Sequence, residues 1–537
     1  MILQSLLLAG AAATSYAQQE LLVKTTAGSV QGHYAPLDVR EWNGIPYATP
    51  PVGDLRWEQS TPAAPWESTY TANFMAPGCP QVCNLPPGNC PEYGTSEDCL
   101  YLSVWAPNKP SEDPAGYPVM FWVHGGAYEQ GLGDCALYNG TQYAQLDVVT
   151  VAINYRLGTL GYMAAENQEG NYGILDQRLA LQWTQDNIAG FGGNPKRVTL
   201  GGQSAGGMSV AAHLISEGSQ DLFAQGAMES NPLALPFHTR ESAKANADAA
   251  FTYLNCTVND IACMRSKSVD EILDAQKHAP SLDLDNLFIN FLPWSPMVEK
   301  GGLIPEQPLT AMSEGRMAAK PMISGTVKDE GQLFVYELFP TALSETAYKL
   351  LVRGIFGKDA AKEILKLYPL SCGGTDDGRD AFNVLGTDLL FYCPLRLATR
   401  GYQSVLGAES TPTYIYRFDH ATSFDCWGPG YEFCFQEGMV CHGSELPFEF
   451  NVFTDGSTVS YTPSEEEIQL TKDVADLWAN FIHNSNPNNG EYATPANWPL
   501  YQAKLDELLV LNEPGVTVAS HQREKYCDTW DRLGYFY

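Results

Sequence analysis

Short, almost continuously apolar runs recur along the first half of the chain. They are PVMFWVHGG at 118–126, VVTVAINYR at 148–156 and RVTLGG at 197–202, and such runs are typical of strands covered on both faces of a sheet. Between the second and third runs, the apolar side chains of YGILDQRLALQWTQDNIAGF recur with approximately helical spacing. Two later runs, KPMISGT at 320–326 and PTYIYRF at 412–418, again predict strands.

Strands that alternate with helices predict an α/β fold, with a mostly parallel sheet and helices on both of its faces. The length of 537 residues alone suggests two to four domains. However, no internal repeat, low-complexity tract or long linker interrupts the pattern. We therefore predict one large α/β domain over residues 18–537.

The first 17 residues, MILQSLLLAGAAATSYA, are predicted to be a secretory signal peptide. An apolar run from Ile2 to Ala13 precedes small residues that end at Ala17, as signal cleavage requires. No Lys or Arg stands before the run, so only the amino terminus supplies positive charge there. No later segment approaches the roughly 20 apolar residues of a membrane span. We expect a secreted, extracellular protein without stable membrane insertion.

Charge and cysteine content restrict the expected partners. The net charge of −31 comes from 31 basic and 62 acidic residues, and such a surface repels nucleic acids and anionic membranes. The 13 cysteines suit an oxidising compartment, and their odd number leaves at least one outside intrachain disulfides. No Cys and His quartet has the spacing of a metal site, so no metal is expected. Sequons at Asn139 and Asn255 permit N-glycosylation.

A serine ringed by glycines is the first candidate for chemistry. Ser204 lies in GGQSAGG, a G-x-S-x-G motif that follows a strand-like run and precedes the helix-compatible AGGMSVAAHLIS. Small residues are needed there because a nucleophilic serine of this type sits on a sharp strand-to-helix turn. The helix N-terminus also directs its free N–H groups at the reacting centre. This context favours a nucleophile over an inert glycine turn.

A nucleophilic serine also needs an oxyanion hole, a base and an acid. HGGAY at 124–128 follows a predicted strand, where glycine N–H groups can face an oxyanion. Of the nine histidines, His442 in GMVCHGSELPF lies in a loop-like context between two glycines. The order Ser…acid…His of α/β-hydrolases then requires an acid between Ser204 and His442. Glu330 and its neighbour Asp329, which follow a predicted strand, both remain candidates on the residues alone.

These segments closely resemble the type-B carboxylesterase/lipase family, the cholinesterase-like α/β-hydrolases. The resemblance rests on FGGNPKRVTLGGQSAGG around the serine, on SEDCLYLSVWAP at 96–107, and on GIPYATPPVGDLRW, NYRLGTLGYM and GNYGILDQRLALQW. These blocks stand in family order and extend over nearly the whole chain after the signal segment. The resemblance implies the α/β-hydrolase fold, with a large, mostly parallel mixed sheet flanked by helices.

The resemblance also implies the site residues. Ser204 would be the nucleophile, His442 the base and Glu330 the acid. The resemblance thus selects Glu330 over Asp329 as the acid of the triad. The implied oxyanion donors are the backbone N–H groups of Gly126, Ala127 and Ala205. Many relatives carry glycine where Ala127 stands, and a backbone N–H survives that change if the local φ tolerates a Cβ. The implied reaction proceeds through an acyl-enzyme and needs no cofactor.

Disulfides and a substrate pocket are implied in the same way. The family pattern pairs Cys79 with Cys99 and Cys256 with Cys263, and two further cysteines inside the first loop are candidates for an additional bridge. Phe237 falls where family members place a bulky acyl-pocket residue, and a core phenylalanine is the open alternative. The side chain before the nucleophile, Gln203, is assigned to the same pocket.

Four functions compete within this reading. We favour a secreted carboxylesterase for short to medium acyl chains. Cholinesterase relatives bind cations with a tryptophan in the first disulfide loop and a glutamate before the serine, whereas this loop has no tryptophan and Gln203 is neutral.

A lipase of the same family, acting on long-chain acylglycerol or sterol esters, is the main alternative, although the first disulfide loop is short for an amphipathic lid. The intact Ser, Glu and His argue against a non-catalytic adhesion protein. The expected partner is a small-molecule or lipid ester, and the sequence gives no oligomeric state.

Overall fold

The structure is a computed structural model, which describes residues 21–86, 88–166, 168–280, 287–435, 438–453 and 462–535. The predicted signal peptide therefore lies outside the described residues. The described strands are β1 (Leu22–Lys24), β2 (Ser29–Gln31), β3 (His33–Ala35), β4 (Val39–Pro46), β5 (Tyr70–Thr71), β6 (Tyr101–Ala106), β7 (Tyr117–Val123), β8 (Val149–Ile153), β9 (Gly193–Gln203), β10 (Gln225–Glu229), β11 (His238–Thr239), β12 (Met297–Val298), β13 (Met322–Val327), β14 (Thr413–Phe418), β15 (Glu507–Leu511) and β16 (Thr517–Ser520).

The described α-helices are α1 (Thr141–Gln145), α2 (Gly158–Tyr162), α3 (Tyr172–Asn187), α4 (Ala205–Ile215), α5 (Arg240–Tyr253), α6 (Ile261–Arg265), α7 (Val269–His278), α8 (Pro308–Ser313), α9 (Glu330–Leu338), α10 (Glu345–Leu367, with a break at Gly357), α11 (Gly378–Gly386), α12 (Cys393–Leu406), α13 (Leu446–Glu449), α14 (Glu465–Asn484) and α15 (Glu524–Leu533). A π-helical segment, Thr387–Tyr392, joins α11 to α12. Short 3₁₀ turns lie at Pro36–Asp38, Gly53–Leu55, Ala136–Tyr138, Ile188–Phe191, Gln220–Leu222, Leu287–Phe291, Leu370–Gly373 and Glu432–Cys434.

An 11-stranded mixed sheet forms the centre of the molecule, in the order β16-β15-β14-β13-β10-β9-β7-β8-β6-β4-β3. The strands from β15 to β8 in that order pair in parallel. The outer pairs, β16 with β15 and the chain of β8, β6, β4 and β3, are antiparallel. The predicted α/β-hydrolase fold, with a large, mostly parallel mixed sheet flanked by helices, is confirmed.

The five strands expected from apolar runs are β7, β8, β9, β13 and β14, and all of them belong to the parallel part of the sheet. Every residue of β7, β8 and β13 is buried. Burial on both faces explains why these runs are apolar without alternation. Because the strands are parallel, their carboxyl ends meet along one edge of the sheet, where ligands bind in open α/β folds.

Five disulfides link the described residues. Two join the family-implied partners, Cys79–Cys99 and Cys256–Cys263, and a third, Cys83–Cys90, is nested inside the first loop. The other two are Cys393–Cys527 and Cys434–Cys441. The described residues contain no cluster of His, Cys, Asp or Glu that could hold a metal ion. No described helix is long and apolar enough to cross a membrane.

The long-range disulfide should stabilise the fold more than a local one. Cys393–Cys527 closes a separation of 134 residues, against seven for Cys256–Cys263. In the loop-entropy model these constraints contribute about 5 and about 2.4 kcal/mol to the free energy of unfolding. We predict a correspondingly larger loss in Cys393→Ala/Cys527→Ala than in Cys256→Ala/Cys263→Ala, measured by denaturant unfolding. Equal losses in the two variants would contradict a loop-length effect.

Candidate active site

Ser204 lies at the carboxyl end of β9, on the turn that leads into α4. Its φ of 59° and ψ of −122° fall in a region that non-glycine residues rarely adopt and that is typical of strained functional turns. A Cβ at Gly202 would come within 2.6 Å of the Gly206 backbone, and one at Gly206 within 2.0 Å of the Val123 carbonyl oxygen. The glycines of the motif are therefore required by the close approach of β7, β9 and α4.

The imidazole of His442 contacts the carboxylate of Glu330, with Nδ1 and Oε2 2.5 Å apart. Both side chains are buried, with relative exposures of 6% and 0%. Glu330 is the first residue of α9, just beyond the end of β13, and its other oxygen accepts a hydrogen bond from the Val327 N–H at 2.9 Å. The carboxylate is thus held at one end by its own strand and at the other by the imidazole. This contact fixes the orientation of the imidazole ring.

Asp329, the rival acid, has a different task. Its Oδ2 accepts from the Val440 N–H at 3.1 Å, and its own N–H donates to the Val440 carbonyl at 3.0 Å. Its Oδ1 accepts from the Asn383 side-chain amide at 3.2 Å. The two neighbouring carboxylates therefore have different partners. Asp329 is hydrogen-bonded to the loop before His442, whereas Glu330 contacts the imidazole ring.

Besides Glu330, the imidazole ring of His442 has a side-chain amide and two phenyl rings as neighbours. His442 Nε2 lies 3.2 Å from Gln203 Nε2, and the rings of Phe334 and Phe391 lie 5.0 and 5.3 Å from the imidazole centroid. The hydrogen bonds among the described residues do not include one between Ser204 and His442. Such bonds are often long without substrate and tighten in the reacting complex.

The loop after β7 carries two of the candidate oxyanion donors. Gly126 and Ala127 have φ values of 102° and 57°, and the Ala127 value lies in the left-handed region that a Cβ tolerates at a modest cost of about 1 kcal/mol. Within the described part of the chain, no hydrogen bond uses the N–H of either residue. The third candidate, Ala205, is the first residue of α4, so its N–H has no partner within the helix. All three residues line the same cavity as Ser204 and His442.

That cavity has a volume of about 520 Å³. Most of its lining is apolar, including Leu132, Met208, Leu235, Phe291, Phe334 and Phe391. Gln203 also lines it.

Phe237 lies outside the set of lining residues: it is 1% exposed and packs edge-on against Tyr128, with ring centroids 6.5 Å apart. Leu235 of the same segment and Phe291 of a 3₁₀ turn do line the cavity. No periodicity distinguishes these side chains in the sequence.

Three further glutamates, Glu229, Glu445 and Glu449, are buried behind the histidine loop, with exposures of 2% or less. Trp478, Ser230 and Tyr143 donate hydrogen bonds to Glu229, Glu445 and Glu449 respectively, and Glu229 and Glu449 are also hydrogen-bonded to each other. Burial raises the pKa of all three carboxyls, and the negative charge of Glu330 adds to the effect at Glu445. Burial therefore favours the protonated form of these carboxyls.

The cluster predicts a loss of stability as the pH rises. A carboxyl whose folded-state pKa exceeds its unfolded value binds more protons when folded, so its contribution is complete below pH about 4.5 and falls as the pH rises through the folded-state pKa. We expect the Tm of Glu449→Gln to fall less between pH 5 and pH 8 than that of the unmodified protein. Glu466→Gln, on the exposed side of α14, is the control. Parallel pH profiles for all three proteins would contradict the assignment.

A serine on a sharp turn at the end of a parallel strand, in one cavity with a buried His–Glu pair and unpaired backbone N–H groups of the described residues, is typical of an α/β-hydrolase. The chain belongs to the carboxylesterase family, whose model matches residues 19–530. It is therefore a carboxylic ester hydrolase.

Known proteins agree with this assignment. The chain is 38% identical to the cAMP-regulated D2 protein of Dictyostelium discoideum over 96% of its length and 93% of that protein. It is 34% identical to the para-nitrobenzyl esterase of Bacillus subtilis, over 91% and 94%, and 32% identical to an acetylcholinesterase of Bungarus fasciatus, over 96% and 86%. A solved PNB esterase structure superposes with a TM-score of 0.78 at 30% identity, covering 95% of this chain and 99% of that one.

Proposed function

We propose that this chain is a secreted serine carboxylesterase that hydrolyses esters of short to medium acyl chains through Ser204, His442 and Glu330. The observation that carries the proposal is the buried 2.5 Å contact between His442 and Glu330, in a cavity that Ser204 also lines. Residues 18–537 would form the catalytic domain after removal of the signal peptide. The reaction requires no cofactor.

In the proposed acylation step, His442 Nε2 takes the proton of the Ser204 hydroxyl as its oxygen attacks the ester carbonyl. The negative charge that develops on the carbonyl oxygen is stabilised by the N–H groups of Gly126, Ala127 and Ala205. In related hydrolases, loss of one such donor costs about 3 kcal/mol. The imidazolium then donates this proton to the leaving oxygen of the ester as the C–O bond breaks, and the alcohol departs.

Deacylation repeats these steps with water in place of serine. His442 takes a proton from the water as the water oxygen attacks the acyl-enzyme carbonyl, and a second tetrahedral oxyanion forms in the same hole. When this intermediate collapses, the proton passes to Ser204 and the free acid leaves. Glu330 remains ionised throughout, orienting the imidazole and balancing its charge.

Two features favour a neutral ester over a choline ester, although Trp427 and Glu337 also line the cavity. The first disulfide loop has no tryptophan to face a cation, and the neutral Gln203 stands beside the imidazole. Both features argue against choline esters. The volume of about 520 Å³ accommodates a small ester within the range usual for ligand pockets.

A lipase is the second candidate, because apolar side chains reach solvent at the cavity mouth. Phe291 and Leu338 line the cavity and are 46% and 56% exposed. Such side chains suit contact with a lipid aggregate. The long-chain acylglycerol or sterol ester of this alternative would have to extend beyond the cavity.

Secretion is supported by the five disulfides, which persist in oxidising compartments. Asn255 lies at an exposed position after α5 and is open to glycosylation, whereas Asn139 is half-buried. We propose both as acceptor sites, with Asn255 the more accessible.

Single substitutions test the proposed triad, and the neighbouring residues Glu330 and Asp329 are compared with each other. We expect Ser204→Ala to lower kcat by about 10⁶-fold and Glu330→Gln by about 10⁴-fold, because the amide favours the wrong imidazole tautomer. Asp329→Asn is the matched control, and its kcat should stay within about tenfold of normal. Equal losses in the Glu330 and Asp329 variants, measured on a soluble aryl ester, would overturn the assignment of the acid.

Chain-length preference separates the two candidate functions. With one alcohol and acyl chains from acetyl to palmitoyl, we expect kcat/KM to peak at short or medium chains in true solution. A peak confined to long chains above their solubility limit would favour the lipase instead.

The acid limb of the pH–rate profile is expected to depend on the absence of charge at position 203. A carboxylate in its place would lie against His442 Nε2 and favour the protonated imidazole, which is inactive as a base. We predict that Gln203→Glu moves the acid limb of kcat/KM upward by about one pH unit. Gln203→Met, which removes the amide without adding charge, should leave the limb in place. A shift of the same size in both variants would exclude an effect of charge.

A further inference from the structure

In the described part of the chain, no strand pairs with the far end of the loop that carries the proposed oxyanion donors. This end is Gly131, whose N–H donates to Gln81 Oε1 at 2.7 Å and whose carbonyl accepts from Gln81 Nε2 at 2.9 Å. One buried side-chain amide, 8% exposed, thus pairs with both backbone groups of one residue. A β-ladder partner would satisfy the same two groups in this way.

Gly131 closes the turn that presents the donors. The carbonyl of Gly126 accepts from the N–H groups of Glu129 and Gln130, both at 3.0 Å, so residues 126–130 form one tight turn. At Gly131, with φ of 109°, a Cβ would lie 2.6 Å from His124 Nδ1, because the chain folds back on the start of the loop. A displacement of Gly131 would therefore rotate the donors at 126 and 127.

Gln81 is itself fixed in place. It stands two residues after Cys79, which is bonded to Cys99, and its Nε2 also donates to the Cys79 carbonyl at 3.0 Å. A second tie joins the same two loops, since the Asn84 N–H donates to Gln130 Oε1 at 2.8 Å. The disulfide loop and the donor loop are held together at two points.

We propose that Gln81 is a positioning residue, which fixes the direction of the Gly126 and Ala127 N–H groups from within the Cys79–Cys99 loop. Stabilisation of an oxyanion depends on donors that need no reorganisation when charge develops. In this chain the disulfide loop supplies that rigidity and acts as a support of the oxyanion hole. The inference rests on the proposed function, because it assumes that Ser204 generates the oxyanion.

The test substitutes Gln81→Leu, which removes both hydrogen bonds to Gly131. We expect kcat/KM on a soluble aryl ester to fall about 10- to 100-fold, mainly through kcat, because the ground-state ester does not use the hole fully. The Ki of an aryl trifluoromethyl ketone, which places an oxyanion in the hole, should rise in parallel. Tyr93→Ala, on the exposed side of the same loop (68% exposed), is the control and should keep both values.

Gln81→Glu gives a second readout that a merely structural role would not produce. A protonated carboxyl can still accept from the Gly131 N–H and donate to its carbonyl, whereas the ionised form cannot donate. The activity of Gln81→Glu relative to the unmodified enzyme should therefore rise as the pH falls from 8 to 5. This variant therefore tests the positioning role of Gln81 even if Gln81→Leu does not fold.

Two results would overturn the proposal: an unchanged ketone Ki in folded Gln81→Leu, or a flat pH ratio in Gln81→Glu. If Ser204→Ala is inactive while the Gln81 variants match the unmodified enzyme, only the role of Gln81 fails. If Ser204→Ala retains full turnover, the proposed function itself fails.

Discussion

The buried contact between His442 and Glu330 is the interaction on which the rest of the site depends. Removing a carboxylate from water is costly unless hydrogen bonds replace its hydration, and the imidazole and the Val327 N–H supply two such contacts. The contact also joins the end of β13 to a loop more than a hundred residues later in the chain. Asp329 adds a second connection between the same two segments, because its carboxylate accepts a hydrogen bond from the Val440 N–H.

The parallel centre of the sheet could be predicted from the sequence, because strands buried on both faces carry uninterrupted apolar runs. The antiparallel strands at its edges could not, because shorter, partly exposed strands such as β3 and β16 lack that signal. The glycine motif identified the turn at Ser204 for a steric reason that the structure shows directly. The choice between Asp329 and Glu330 required family resemblance, since both follow the same strand.

The rest of the site depends on contacts between side chains and backbone, which leave no periodic trace. Gln81 is one glutamine in a proline-rich loop, and only the fold brings its amide to both polar groups of Gly131. The position of Phe237 also leaves no signal in the sequence, because residues two positions apart can face a cavity or the core depending on the local turn. Leu235 lines the cavity while Phe237 packs on Tyr128.

The buried carboxyls near His442 affect one another's ionisation. Glu445 lies in the histidine loop, and its pKa is raised by burial and by the charge of Glu330. While Glu445 keeps its proton, Glu330 faces the imidazole as the local anion. As the pH rises through the folded-state pKa of Glu445, a second negative charge forms near Glu330, and the contribution of the protonated carboxyl to stability is lost. Neutral Gln203 lies on the opposite side, with its Nε2 3.2 Å from His442 Nε2, so the side chain at that position adds no further charge beside the imidazole.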